Sequence, residues 1–248
     1  MATGLRYERL ADGRIRRWFE RATGETVHVR APVYFYDDFI GYNAPMLSET
    51  GSVGIWQDTI IGAAPPLAGQ VTDELNGVVQ VALTADSQEQ QALLDFGDVL
   101  CFDANKALQA EFRFKVKVLP TAAVTLAMGL GSANNKVLAS ISKFAAFSLT
   151  SDGVIKCETD DNTTDTAPVT SGTTATADDQ YRIARIDMSD LTSVKFYLDG
   201  VRVASGTTFD MSALAATDGL QPFIQAYKAS GTVVGTLEVD SCRVWSYR

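Results

Sequence analysis

A histidine is the general base that serine and cysteine nucleophiles require, and this chain contains one, His28. It lies in an arginine-rich stretch near the N-terminus, outside the region that carries strand signals, so a surface or interface role is expected for it. Carboxylates are more plentiful. The tightest runs are Thr72-Asp-Glu-Leu75, Asp86-Ser-Gln-Glu89 and Glu158-Thr-Asp-Asp161. With Asp165, the last run gathers Glu158, Asp160 and Asp161 into a set of hard oxygens of the kind calcium prefers. It lacks the spacing and central glycine of an EF-hand, and a solvated acidic loop is the expectation. Gly129-Leu-Gly131 has no third glycine and no following Lys-Ser/Thr, so it is not a phosphate loop. Cys101, Cys157 and Cys242 are too few and too scattered for a disulfide framework or a zinc site. Each sits in an apolar stretch and reads as a reduced, half-buried core thiol. Tyr42, Trp56 and Tyr227 could form a stacking platform for sugars, although aromatics in strands commonly pack instead. The sequence therefore assigns no catalytic residue, no cofactor site and no metal site.

Charge narrows the partners. The 248 residues carry a formal charge of −9, yet residues 1–30 hold seven arginines against four acids, a net of +3 that leaves −12 on the remainder. An acidic body repels polyanions, so nucleic acid and anionic membranes are not expected as partners. No run approaches 18 apolar residues. The first residues show neither the apolar stretch of a secretory signal nor a lipidation motif. Free cysteines point to synthesis in a reducing cytoplasm.

The elements that must position any site read as strands. Ala110-Glu-Phe-Arg-Phe-Lys-Val-Lys-Val118 alternates strictly. Phe112, Phe114, Val116 and Val118 share one face and Glu111, Arg113, Lys115 and Lys117 the other, which predicts a sheet packed on one side and wet on the other. Val33–Phe39, Val53–Ile60, Val78–Thr84, Val124–Leu130, Val194–Leu198, Val201–Val203 and Thr236–Trp245 continue the series. Asp199-Gly200 between two such runs signals a hairpin. Gln88–Leu94 and Asn135–Phe144 could each form a turn or two of helix, or belong to strand connections. Thr159–Asp179 reads as a long exposed loop or a ragged hairpin. The pattern implies about a dozen strands in two packed antiparallel sheets, with the first body strand pairing the last to protect an edge.

Residues 1–31 form a basic, aromatic arm ahead of a sandwich over 32–248. Arg14, Arg16, Arg17 and Arg21 surround Trp18 and Phe19 there, and neither helix nor strand is assigned. Its apolar residues need burial, either on the arm's own domain or on a neighbouring chain.

Several motifs resemble the concanavalin A-like lectin/glucanase superfamily, a jelly-roll sandwich. Tyr36-Asp-Asp-Phe39 is similar to the opening strand of its glucanase-type members, and Leu75-Asn-Gly-Val-Val-Gln-Val-Ala-Leu83 to the turn and strand that follow. Val194-Lys-Phe-Tyr-Leu-Asp-Gly-Val-Arg-Val203 resembles the laminin-G-like hairpin, and Glu238-Val-Asp-Ser-Cys-Arg-Val-Trp245 the closing strand. The resemblance implies the fold. It does not imply the family's hydrolysis, because none of the acidic runs completes the Glu-x-Asp-x-x-Glu strand of its retaining glucanases. The histidine-containing metal site of legume lectins is likewise missing. The basic arm before an Ala/Thr/Gly-rich sandwich is also similar to jelly-roll structural proteins of tailed bacteriophages.

That likeness sets the functional expectation: a non-enzymatic virion protein, a capsid decoration or cement protein assembled in the host cytoplasm. Its partners would be the major capsid protein or another virion protein, and further copies of itself in a homo-oligomer. Arg14, Arg16, Arg17, Trp18, Phe19 and Arg21 would make the attachment, since Trp and Arg are enriched at interface hot spots. The alternatives are a receptor- or glycan-binding module of a tail or fibre, reading a surface glycan through Tyr42, Trp56 and Tyr227, and a polysaccharide-degrading enzyme.

Overall fold

The structure is a computed structural model. It describes residues 5–9, 15–20 and 26–29 by their backbone, and residues 33–41, 54–72, 74–177 and 180–247 in full. Among these residues the body is a jelly-roll sandwich of two antiparallel sheets, each with eight strands.

The first sheet contains β4 (Val33–Asp37), β6 (Leu67–Gln70), β7 (Val79–Ala82), β10 (Leu108–Val118), β15 (Arg182–Met188), β16 (Lys195–Leu198), β17 (Val201–Val203) and β19 (Thr236–Ser246). Its order is β17-β16-β15-β10-β19-β7-β6, with β4 also paired to β19. The last strand is its centre. One edge of β19 runs along β10 from Thr236 to Trp245. The other edge takes β7 at residues 236–239 and then β4 at residues 242–246. The pairing of first body strand with last, expected from edge protection, is thus present, with Phe35 opposite Val244.

The second sheet contains β5 (Gln57–Ile61), β8 (Gln90–Asp95), β9 (Phe102–Asp103), β11 (Val124–Gly131), β12 (Phe144–Leu149), β13 (Val154–Asp160), β14 (Asp165–Thr174) and β18 (Gly219–Lys228). Its order is β14-β13-β12-β11-β18-β8-β5, with β9 on β18. Phe112, Phe114, Val116, Val239 and Val244 from the first sheet meet Leu126, Met128, Phe147, Ile224 and Leu94 from the second in one continuous core.

Residues 5–29 also form strands: β1 (Leu5–Arg9), β2 (Ile15–Glu20) and β3 (Thr26–Val29) make a separate three-stranded antiparallel sheet. The sequence assigned no element there.

Three readings left open by the sequence are decided by what covers each segment. Gln88–Leu94 is not helical: it is the entry to β8, whose six residues are all buried. Ala92 and Leu94 face the main core, while Leu93 joins a second small cluster outside the sheet. A strand buried on both faces loses its alternation. Asn135–Phe144 contains only a 3-10 turn at Leu138–Ser140 before β12 begins. That connection folds over the outer face of the second sheet, where Leu138 and Ile141 pack on Phe144, Ala127 and Phe223. For Thr159–Asp179 the hairpin alternative is the one observed, because β14 pairs with β13 through two register shifts. Strands β12, β13, β15 and β18 carry no expectation above.

Tight turns fix the ends. Asp199 and Gly200 both have positive φ (50° and 78°), as the β16–β17 hairpin requires. Gly77 is required in the same way: a Cβ there would lie 2.5 Å from Asp38 O. Beside it, Asp37 turns inward and accepts from Phe39 N (2.8 Å) and from Trp56 Nε1 (3.0 Å). Cys157 and Cys242 are buried, and burial pushes both thiols up. Cys101 is exposed, so it is not a core thiol. Lys228 is fully buried, and its ammonium donates to the carbonyls of Thr84 (2.6 Å), Asp86 (2.7 Å) and Val233 (3.0 Å), clipping two loops to the end of β18. Such charge-assisted bonds satisfy the ammonium without a counter-ion.

Candidate binding face

Strand alternation sends Glu111, Arg113 and Lys115 of β10 to the outer face of the first sheet. The registers then assemble a row across six strands: Tyr36 on β4, Arg243 on β19, Glu111 on β10, Arg185 on β15, Tyr197 on β16 and Arg202 on β17. At the usual strand spacing this row spans about 24 Å. Its members hold one another. Arg243 Nη1 meets Glu111 Oε1 at 3.2 Å. The Arg243 guanidinium lies 5.0 Å from the Tyr36 ring centre, and that of Arg185 lies 3.8 Å from Tyr197. A second layer repeats the chemistry: Arg113 pairs with Asp240 (2.7 Å) and Lys115 with Glu238 (2.9 Å). Both cations lie over the Tyr181 ring, at 4.3 and 5.1 Å. Burial pushes the Tyr181 hydroxyl up to about 12.

The outer face is therefore drier than the expected one-sided alternation. Glu111 is only 3% exposed and Arg185 only 7%, because paired charges and rings cover one another. Tyr34 (48%) and Tyr36 (42%) remain open on β4, and burial of the rest of each ring raises both hydroxyls. Cation–π stacking holds a ring flat against its neighbour, and a flat tyrosine at a sheet surface offers a stacking plane and a polar tip.

The suggested sugar platform is not formed as a unit. Trp56 is fully buried. It packs edge-on to Phe96 (5.0 Å) and tilted on Phe39 (5.6 Å), with its N–H spent on Asp37, so it is removed from the platform. Tyr227 is half-buried on the second sheet, where it donates to Glu89 Oε1 (3.0 Å), a carboxylate also bridged by Lys136 (2.7 Å). Tyr42 lies outside the described residues. Tyr34 and Tyr36 escaped the sequence reading, although the alternation Val33-Tyr-Phe-Tyr36 places them together, opposite the inward Phe35. Of the suggested attachment residues, Arg16, Arg17, Trp18 and Phe19 fall on β2, the middle strand of the N-terminal sheet. Arg14 and Arg21 lie outside the described residues. His28 is on β3, in register with Trp18.

The acidic run is structural rather than a solvated loop. Glu158 is buried on β13, where desolvation raises its carboxyl against the hydrogen bond from Ser148. Asp160 accepts from Asn162 N (2.7 Å). Asp161 is buried and accepts from Thr163 N, Thr164 N and Ala213 N, which caps the β13–β14 turn. Among the described residues, no group of three or more Asp, Glu, His or Cys is placed to hold a metal.

Solved structures share this architecture. A Bacteroides ovatus GH16 protein of a mixed-linkage glucan locus, in complex with a glucan product, superposes with a TM-score of 0.57 at 12% identity, covering 85% of this chain and 99% of that one. A putative β-glucanase from Mycobacterium abscessus gives 0.53 at 15%, covering 85% and 99%. The carbohydrate recognition domain of Emp47p gives 0.52 at 13%, covering 84% and 96%. These likenesses are of fold: a two-sheet jelly-roll sandwich of the concanavalin A-like type. No protein-family model matches the chain, and no curated protein matches it.

The row makes a stability prediction. Arg243→Ala leaves Glu111 buried beside one fewer cation and should cost about 3 kcal/mol in urea unfolding. Arg202→Ala, at the exposed end of the same row, should change stability by less than about 0.5 kcal/mol.

Proposed function

We propose that this chain is a non-catalytic binding protein, and specifically a repeated virion surface protein. Its N-terminal segment would attach to the shell, and its sandwich would be the displayed body. The observation that carries this reading is the division of the chain. Residues 1–30 hold a net charge of +3 against −12 elsewhere. Their strands form a sheet of their own that shares no ladder with either body sheet among the described residues. A cationic, aromatic segment set apart in this way suits an acidic groove on a shell protein or a neighbouring copy, and repetition over a shell multiplies a weak contact into avidity.

The body's chemistry supports the non-catalytic half. Glycoside hydrolysis requires two carboxyl groups about 5–10 Å apart, one free to donate a proton. On the outer face of the first sheet, Glu111, Glu238 and Asp240 are each engaged by a cation. Deleting residues 1–31 should leave the sandwich folded by circular dichroism while abolishing incorporation into phage particles. Normal incorporation of the shortened chain would refute attachment through this segment.

A glycan-binding module is the second reading. Tyr34 and Tyr36, open and adjacent on a sheet of lectin-like architecture, favour it. It predicts signal on a glycan array with assembled protein, reduced at least tenfold by Tyr34→Ala with Tyr36→Ala. An array without hits argues for the shell role alone.

A further inference from the structure

On the outer face of the second sheet, one buried carboxylate oxygen has no hydrogen-bond partner among the described residues. Asp95, at the end of β8, is 2% exposed. Its Oδ1 accepts from Gly97 N at 2.7 Å. Its Oδ2 is sealed from solvent and has no hydrogen-bond partner among the described residues. Burial, followed by the charge of neighbouring Asp98, raises this carboxyl to about 6 even against the Gly97 bond. In its ionised form the group is an anion with one bare oxygen. A buried, unpaired charge is among the costliest features a fold can carry.

The surroundings supply oxygens and a rigid frame. Gln57 stands directly opposite Asp95 on β5. Its amide lies over Gly97, and a Cβ at that position would come within 2.3 Å of Gln57 Oε1. Gly97 and Asp98 both adopt positive φ (62° each), in a turn closed by Val99 N on Phe96 O at 3.2 Å. The turn is pinned from two further elements. Asp98 Oδ1 accepts from Asn134 N (2.8 Å) and from Gln221 Nε2 (3.0 Å). Gln221 Oε1 accepts from Phe96 N (3.0 Å) and Asp98 N (3.1 Å). Asp98 itself is exposed, which opens the cluster to water on that side.

We propose that Asp95 Oδ2, the Asp98 carboxylate and Gln57 Oε1 form a calcium site, with water completing the shell on the exposed side of Asp98. The donors are all oxygens, which selects a hard cation over zinc or copper. Two carboxylates with a neutral amide suit calcium, which accepts protein oxygens in flexible geometry, better than magnesium, which keeps most of its waters. The ion would neutralise the buried anion and lock the β8–β9 turn to β5. The alternative occupant of Oδ2 is a proton, and it predicts a different response to calcium.

The test uses the full chain, stripped of divalent ions, at pH 7.5. Thermal unfolding is followed with calcium or magnesium at millimolar concentration, beside terbium luminescence excited through tryptophan. Trp56 is close enough to sensitise it, since its ring packs on Phe96 at 5.0 Å. Calcium at ten times its dissociation constant should raise the Tm by roughly 3–6 °C, with a smaller shift from magnesium. Asp95→Asn and Asp98→Asn should each remove both the shift and the terbium signal, while Asp58→Asn on the same strand as Gln57 should keep them. An unchanged Tm in calcium, or a shift that survives Asp95→Asn, would overturn the site and leave a proton on Asp95.

Discussion

The structure depends on the double pairing of its last strand. β19 uses one edge on β10 and the other on β7 and then β4, so the first strand of the body is held along the last. This geometry decides which side chains face the core. Val239, Cys242 and Val244 point inward to the second sheet, and Glu238 and Arg243 point outward. It also decides what stands beside what: Tyr36 reaches Arg243, and Arg243 reaches Glu111, only because both ladders hold their register. A one-residue slip would exchange the two faces of a strand. The hydrophobic row and the charged row therefore enforce the same register from opposite sides.

The outer row also constrains function. Charges brought this close and this far out of water are stable only when each has a partner. Arginine suits the task, because its guanidinium can bond a carboxylate in its plane and cover a ring with its face. Carboxylates held in this way are poor acids and poor nucleophiles. On this face Glu111, Glu238 and Asp240 are each spent on a cation, and at the β13–β14 turn Asp161 is spent on capping.

The architecture was legible wherever one face of a strand is wet. Ala110–Val118 alternates because its two sides meet different solvents, and Asn76-Gly77 and Asp199-Gly200 mark turns because few other residues tolerate positive φ. β8 and β12 were illegible for the opposite reason. All six residues of each are buried, and the covering loop around Leu138 and Ile141 removes the polar side of the pattern. The site was legible only in part. Trp56 looked like a platform residue, but no local signal shows that Asp37, nineteen positions away, takes its N–H. Arg185 and Tyr197 give no hint of stacking until β15 and β16 pair. Partners in sheets are set by long-range register, which spacing along one strand does not contain.

The closure of the sheet by its two end strands is the claim from which the faces, the row and the exposed tyrosines follow. Native-state hydrogen exchange on β4 and β19 tests it most directly. The amides of Phe35, Asp37, Cys242 and Val244 should exchange only through global unfolding, at the same free energy as those of Phe112 and Phe114 on β10. Fast exchange along β4 with β10 still protected would contradict the account, because the sandwich would then hold together without the pairing on which its outer face is built.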